Sequence, residues 1–131
     1  MRMGNKKDNN FIALILPYLN NSSNWHIREE LLNLLIKCFL TSQDASEFDA
    51  YQCLDSILQL FNDQKEKIRI LALEAVAAYT SITDKQKIIE VMFQLNVNKE
   101  FLQLVTQRID EGMYPTINNE GNIDLPYKDQ L

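Results

Sequence analysis

Residues 25–42 read WHIREELLNLLIKCFLTS, and residues 66–82 read EKIRILALEAVAAYTSI. In the first stretch, apolar residues follow Ile27 at offsets of 4, 7, 8, 11 and 12. In the second stretch, the offsets from Ile68 are 3, 4, 7, 8 and 11. This spacing places the apolar side chains on one side of an α-helix, so both stretches are predicted to be amphipathic helices.

The two helices repeat one pattern. Ile27 and Ile68 lie 68 − 27 = 41 residues apart, and the same spacing separates Arg28 from Arg69 and aligns further apolar pairs: Leu31 with Ala72, Leu34 with Ala75, Leu35 with Val76, and Cys38 with Tyr79. Self-similarity near 40 residues is typical of HEAT and armadillo arrays. Each unit of such an array is a helix pair that buries its apolar stripe only against its neighbours.

Four further helices complete three pairs. The first helix is predicted over residues 10–19, with an apolar stripe of Phe11, Leu14, Ile15 and Tyr18, and the third helix over residues 48–61. Thr83, with Gln86 three residues later, has the spacing of a capping box. Asn98 is the predicted cap of the last helix and Gly112 its end. The predicted fold is all-α: an α-solenoid (α-α superhelix) of three HEAT-like helix pairs with an extended C-terminal tail.

The chain is predicted to have three parts. Residues 1–9 form a polar N-terminal segment, residues 10–112 the helical repeats and residues 113–131 the tail. The tail loses the helical period and has a tight turn at residues 118–121 between two prolines. Its apolar side chains predict that it packs on the repeats: Tyr114, Ile117, Ile123, Leu125 and Tyr127.

Composition narrows the functional class. The net charge of −5 disfavours nucleic acid as a partner, and no apolar run reaches the roughly 20 residues of a membrane span. The N-terminus has no secretory signal pattern. Cys38 and Cys53 fall at apolar helix positions, which predicts buried thiols in a reducing compartment and a cytoplasmic protein. One histidine, no phosphate loop and no nucleophile motif predict a protein without metal, cofactor or catalytic activity.

The candidate binding residues lie where the second helix of each pair begins. Trp25 and His26 follow a polar turn, and Lys65 and Lys67 occupy the corresponding turn of the next pair. Because stacked repeats place such turns in a row, these four residues are predicted to line one edge. Trp25 would be an aromatic anchor, and the lysines would meet an acidic partner. Two other interpretations stay open: Trp25 as a staple over the helix start, and the lysines as solvated charges.

Three further polar residues are predicted to hold the repeats together. Asp63 precedes Arg69 in the second pair, a pattern that resembles the HEAT consensus, in which a turn aspartate and a helix-start arginine form a ladder between adjacent repeats. The first pair keeps Arg28 but has Ser22 in place of the aspartate. Arg28 and Arg69 are expected to bind turn carbonyls or a neighbouring carboxylate.

Several motifs resemble the second half of a TOG domain of the CLASP and crescerin type. They are NWHIREELL at residues 24–32, LFND at 60–63 leading into KIRILA at 67–72, and, in the tail, LVTQR at 104–108, YP at 114–115 and NEGNI at 119–123. The resemblance covers about residues 11 to 127.

This resemblance implies a tubulin-binding function and a cytoskeletal location, including the cilium or axoneme. TOG domains are rigid paddles of six HEAT repeats whose intra-repeat turns contact tubulin along one edge. Carried over to this chain, the turn of the fourth repeat is residues 22–26 and that of the fifth is residues 63–67.

The sequence is also consistent with a scaffold function and with an association surface on the first helix. The chain could instead be a HEAT or armadillo scaffold that binds another protein through its concave helical face. The first helix is also expected to expose an apolar side, which would serve self-association or be covered by preceding repeats.

Overall fold

The computed structural model of the chain describes residues 3–42 and 44–126. The segments with apolar stripes form six α-helices in it. The helices are α1 (Met3–Asn21), α2 (Trp25–Thr41), α3 (Ala50–Gln59), α4 (Glu66–Thr80), α5 (Lys85–Gln94) and α6 (Lys99–Glu111). Short 3-10 turns, Ala45–Glu47 and Leu60–Asn62, flank α3. Two residues named in the predictions lie outside the described part: the side chain of Phe11, predicted in the stripe of the first helix, and Tyr127, predicted to pack in the tail.

The helices stack as three pairs in two layers. Within the pairs α1 packs on α2, α3 on α4 and α5 on α6. Between pairs, α1, α3 and α5 follow one another in one layer, while α2, α4 and α6 follow one another in the second. The predicted all-α solenoid is therefore confirmed. The turns inside each pair lie at one edge of the stack, and the loops between pairs lie at the other.

Three local predictions differ from the structure. Helix α1 begins at Met3 rather than residue 10, although residues 3–10 contain one glycine, three asparagines and one aspartate, which have low helix propensity. Its buried side consists of Ile12, Ile15, Leu16 and Leu19, so the predicted stripe residues Leu14 and Tyr18 point outward instead.

Helix α5 is capped by Asp84 and not by Thr83. A carboxylate oxygen of Asp84 accepts a hydrogen bond from the Lys87 amide at 2.7 Å, and a charged acceptor binds a helix-start amide more strongly than a hydroxyl does. The predicted ends of α6 are confirmed. Asn98 accepts from the Phe101 amide at 2.8 Å, and Gly112 adopts the left-handed conformation, with φ 66°.

The tail forms a two-stranded hairpin that contacts α2. Strands β1 (Thr116–Ile117) and β2 (Ile123–Asp124) are antiparallel and are joined by a turn in which Gly121 has φ 84°. Both strands touch α2, and the Ile123 and Leu125 side chains pack on the core. Since the tail leaves α6 and returns to α2, it lies against the layer of second helices.

The core contains a buried thiol beside an aromatic cluster. Burial raises the pKa of Cys53 to about 12, with a smaller contribution from the negative charge of Asp49. Burial also raises the pKa of Tyr79. At alkaline pH, the Cys53 thiol and the Tyr79 hydroxyl therefore stay neutral in the folded state, whereas the same groups begin to ionise in the unfolded chain.

We expect the stability to fall as the pH rises above 9. The unfolded Cys53 thiol ionises near pH 9, whereas the folded thiol holds its proton until about pH 12. The stability from this difference is complete below pH 9 and is lost between pH 9 and 12, at up to ~1.4 kcal/mol per pH unit. Urea unfolding at several alkaline pH values measures this slope. Cys53→Ala should make it shallower, and an unchanged slope would contradict the assignment.

None of the helices within residues 3–42 and 44–126 combines the length and apolar character needed to cross a membrane.

Candidate protein-binding edge

The edge is built from turns whose hydrogen bonds are local. The Asn24 side chain accepts a hydrogen bond from the His26 amide at 2.9 Å and so begins α2. In the next pair, Asp63 accepts from the Lys65 amide at 2.9 Å, just before α4 begins. Asn24 is the cap residue of α2, whereas Asp63 closes the turn before Lys65, the cap residue of α4, which makes no side-chain cap hydrogen bond. The sequence thus fixes each turn separately.

Arg28 joins the first two turns. Its guanidinium binds the Asp63 carboxylate through two hydrogen bonds, Nε–Oδ2 at 2.7 Å and Nη2–Oδ1 at 3.1 Å. Its remaining nitrogen Nη1 donates to the Ser22 carbonyl at 2.8 Å. The Arg28 and Asp63 side chains are only 14% and 6% exposed, so water screens this pair less than a surface pair. This contact sets the position of one turn relative to the next.

Arg69 repeats half of that arrangement. Its Nη1 donates to the Asp63 carbonyl at 2.6 Å, six residues earlier in the chain, just as Arg28 reaches the carbonyl of Ser22. Both predicted kinds of partner, a turn carbonyl and a neighbouring carboxylate, are therefore present around these arginines.

Trp25, His26 and Lys65 form one surface cluster. The Lys65 ammonium lies 4.8 Å from the centre of the Trp25 ring, which is cation–π distance. The rings of Trp25 and His26 are 3.8 Å apart and tilted by 31°. Trp25 is the first residue of α2 and is half-buried against the core. The ring thus covers the helix start with part of its surface and leaves part available.

Lys67 is part of an ion pair. Its ammonium lies 2.7 Å from Oε2 of Glu29 on α2. The sequence pattern did not predict this contact. The 41-residue register aligns Glu29 with Ile70, so the pairing depends on how far α4 is displaced along α2, which the sequence does not specify. The positive charge at this edge therefore rests more on Lys65 than on Lys67.

The third turn extends the edge and was also missed. Asn96 adopts φ 57°, a left-handed conformation that asparagine tolerates better than most residues. Asn98 then caps α6, and the exposed Lys99 occupies its first position, as Trp25 does in α2. The sequence signal for this turn is the pair Asn96 and Asn98, of which only Asn98 was predicted, as the cap of α6.

Away from this edge, the described surface has a groove but no metal site. Within residues 12–42 and 44–126, no group of three His, Cys, Asp or Glu side chains is placed to hold a metal ion. A groove of about 270 Å³ lies between α4 and α6, lined by Ile70, Leu73, Glu74, Leu104, Gln107, Arg108 and Glu111. Glu74 and Arg108 at its base bind each other, so the groove does not present a buried charge that needs a ligand.

Stacked helix pairs with their turns along one edge, and a short hairpin on α2, define this chain as a HEAT-like α-solenoid. Its fold is that of a binding scaffold. A solved structure described as "Crescerin uses a TOG domain array to regulate microtubules in the primary cilium" matches it with a TM-score of 0.75 and 25% sequence identity. The match covers 87% of this chain and 47% of that chain, so this chain spans about half the length of the structure it resembles.

No protein-family model matches the sequence, and a comparison with curated proteins found no match. The predicted resemblance to a TOG domain is confirmed by this structural likeness. That the chain corresponds to the second half of such a domain stays a prediction.

Proposed function

We propose that this chain is a non-enzymatic tubulin-binding module that docks through its turn edge. The observation that carries the proposal is the cluster of Trp25, His26 and Lys65 on two turns held together by Arg28 and Asp63. The likeness to a TOG domain array that regulates microtubules supports tubulin as the partner. A cytoskeletal location, including the cilium, follows from the same proposal.

The edge has the properties of a preorganised docking site. The bidentate Arg28–Asp63 contact fixes the spacing of the turns before a partner arrives, which lowers the entropy cost of binding. Trp25 supplies a partly exposed aromatic surface, and Lys65 supplies positive charge beside it. An amphipathic ring next to a cation suits a partner surface that carries carboxylates.

Size-exclusion chromatography with soluble αβ-tubulin tests the proposal. We expect the chain to co-elute with tubulin and Trp25→Ala to weaken binding by about 30-fold or more, as for a central aromatic anchor. Lys65→Glu should weaken binding more than Lys67→Glu, because Lys67 is already neutralised by Glu29. The effect of Lys65→Glu should shrink at high salt.

Lys87→Glu is the matched control. Lys87 is exposed at the start of α5, at the opposite edge from the start of α4, and this variant makes the same change of charge. Binding by Lys87→Glu should equal that of the unchanged chain. Equal losses for Lys65→Glu and Lys87→Glu would show a charge effect without a site at the edge.

Urea unfolding separates the anchor from the staple interpretation of Trp25. If Trp25 is chiefly an anchor, Trp25→Ala should lower the free energy of unfolding by less than about 2 kcal/mol. A larger loss would assign Trp25 to the fold. No co-elution, together with no pelleting on microtubules, would favour the scaffold alternative, for which the groove between α4 and α6 is the next surface to test.

A further inference from the structure

A pocket of about 440 Å³ lies at the edge of the loops between pairs, opposite the turn edge. It opens where α3 and α5 begin, because the cap residues of these two helices, Asp49 and Asp84, both line it. Its inner side is formed by the buried side chains of Phe48, Tyr79 and Val91. The pocket therefore lies between the second and third pairs, and its size is in the range of sites that enclose a small ligand or a side chain.

The hydroxyl of Tyr79 makes no hydrogen bond to any described residue, although Tyr79 is only 1% exposed. In the described part of the chain, no fully buried side-chain oxygen or nitrogen lacks a partner. The Tyr79 oxygen is therefore not fully enclosed, and it reaches the surface of the pocket that this residue lines. A phenylalanine ring would fill the same space in the core, so the hydroxyl indicates a polar group that binds from the pocket.

Two carboxylates face the same pocket with half of their hydrogen-bonding capacity unused. Oδ1 of Asp49 accepts from the Gln52 amide at 3.1 Å, and Oδ1 of Asp84 accepts from the Lys87 amide at 2.7 Å. The second oxygen of each carboxylate has no hydrogen-bond partner among the described residues. The Lys87 ammonium is the one positive charge among the lining residues, so the lining carries a net negative charge.

The ligand that suits these groups is an organic cation with several N–H donors. In the part of the chain that the structure describes, the two carboxylates are not joined by a third His, Cys, Asp or Glu that would complete a metal site. Burial raises the pKa of the Tyr79 hydroxyl, and the negative charges of Cys53 and Asp49 raise it further, so the hydroxyl is neutral and can accept a hydrogen bond.

The rim of the pocket favours a guanidinium over an ammonium. Tyr51 lines the pocket and is 49% exposed, so its ring is available to a ligand. A guanidinium is planar, stacks on aromatic rings and directs five N–H donors in fixed directions, whereas an ammonium is a more strongly hydrated point charge. Asp44 and Glu47, which precede Asp49 in the same loop, add negative charge that attracts a basic partner.

We propose that this pocket is a docking site for an arginine side chain of a partner protein. The guanidinium donates to the unused carboxylate oxygens and to the Tyr79 hydroxyl, and it stacks on the ring at the rim. The residues that hold it are Asp49, Tyr51, Tyr79 and Asp84. Because the pocket and the turn edge lie at opposite edges of the stack, this site goes beyond the proposed function and leaves the turn edge accessible.

An NMR titration of the ¹⁵N-labelled chain with Nα-acetyl-arginine amide tests the proposal. The amide signals of residues 49–52 and 84–87 should shift and saturate with a dissociation constant on the order of 1–10 mM, as for a single side chain. Nα-acetyl-citrulline amide has nearly the same shape without the charge and should bind about 10-fold more weakly or less. Free L-arginine should bind no more tightly than the blocked compound.

Two variants test the assigned groups. Tyr79→Phe keeps the ring and removes the hydroxyl, so it should raise the dissociation constant by about 3-fold or more. It should leave the midpoint of urea unfolding unchanged. Asp49→Asn keeps a good helix cap and removes the charge, so it should raise the dissociation constant by about 5-fold or more. The NMR spectra show directly whether each variant is folded.

Asp55→Asn is the matched control, because it makes the same change on α3 at a residue that does not line this pocket. It should bind Nα-acetyl-arginine amide like the unchanged chain. Equal losses for Asp49→Asn and Asp55→Asn would overturn the proposal, as would a Tyr79→Phe variant that loses stability but keeps its affinity.

Three results with the ligands would also overturn the proposal. They are no saturating shift up to about 50 mM of the blocked arginine, equal binding of the citrulline compound, and tighter binding of free L-arginine. The last result would assign the pocket to a free amino acid instead of a partner protein. Tubulin is absent from these measurements, so their outcome is independent of the proposed function.

Discussion

Glu74→Ala is expected to lower the free energy of unfolding by about 3–5 kcal/mol, because it removes the Glu74 carboxylate that pairs with the buried Arg108. Glu74 and Arg108 are 2% and 4% exposed and bind each other through two hydrogen bonds, one of them Nη1–Oε2 at 2.7 Å. Arg108 also donates from Nε to the Met113 carbonyl at 3.0 Å, where the tail begins. The loss should therefore affect both the seating of α6 on α4 and the tail.

The control for this prediction is the exposed pair on the other side of the last repeat. Lys85 lies 2.5 Å from Asp110, with side chains 45% and 59% exposed. Lys85→Ala should cost less than about 1 kcal/mol, as surface pairs do. Urea unfolding of both variants gives the comparison. Similar small losses would mean that water or a rearranged neighbour solvates Arg108 once the carboxylate is gone.

Phe39→Ala is expected to lower the free energy of unfolding by about 3–5 kcal/mol, because it leaves a cavity at the centre of the core. The Phe39 ring is fully buried, stacks on Tyr79 with centroids 4.7 Å apart and meets the edge of Phe48 at 5.1 Å. Since Phe39 belongs to the first pair and Tyr79 to the second, this cluster also couples the two repeats.

Phe93→Ala removes the same ring from an exposed position and should change the free energy of unfolding by less than about 0.5 kcal/mol. Urea unfolding followed by circular dichroism measures both variants. A loss below about 1 kcal/mol for Phe39→Ala would contradict the assignment of this ring to the centre of the core.

The repeat architecture could be predicted from local patterns, whereas the first helix could not be predicted in detail. The offsets from Ile27 and Ile68 describe α2 and α4, which pack on each other, and most residues of their stripes are buried or half-buried. In α1 the apolar residues lie on two sides, one buried through Leu16 and one exposed through Leu14. Periodicity alone does not distinguish the side that meets a neighbour in this chain from the side that does not.

The candidate edge was predictable as a set of residues but not as a set of contacts. The shared position of Trp25 and Lys65 near helix starts brought them to one edge, and the structure places the lysine over the ring. The pairing of Lys67 with Glu29 was not predictable, because it depends on the displacement between neighbouring helices. The third turn was missed because Asn96 and Lys99 form no recurring pattern with the first two turns.

The sequence by itself determined what short-range forces control: helix periods, the caps at Asn98 and Gly112, and the 41-residue repeat that makes stacking the way to bury each stripe. Only the tertiary structure decided which long-range polar groups meet, such as Arg28 with Asp63 and Arg108 with Glu74, and which apolar side of α1 stays exposed. The physical reason is that these contacts depend on the rotation and displacement of whole helices, which many side chains set together.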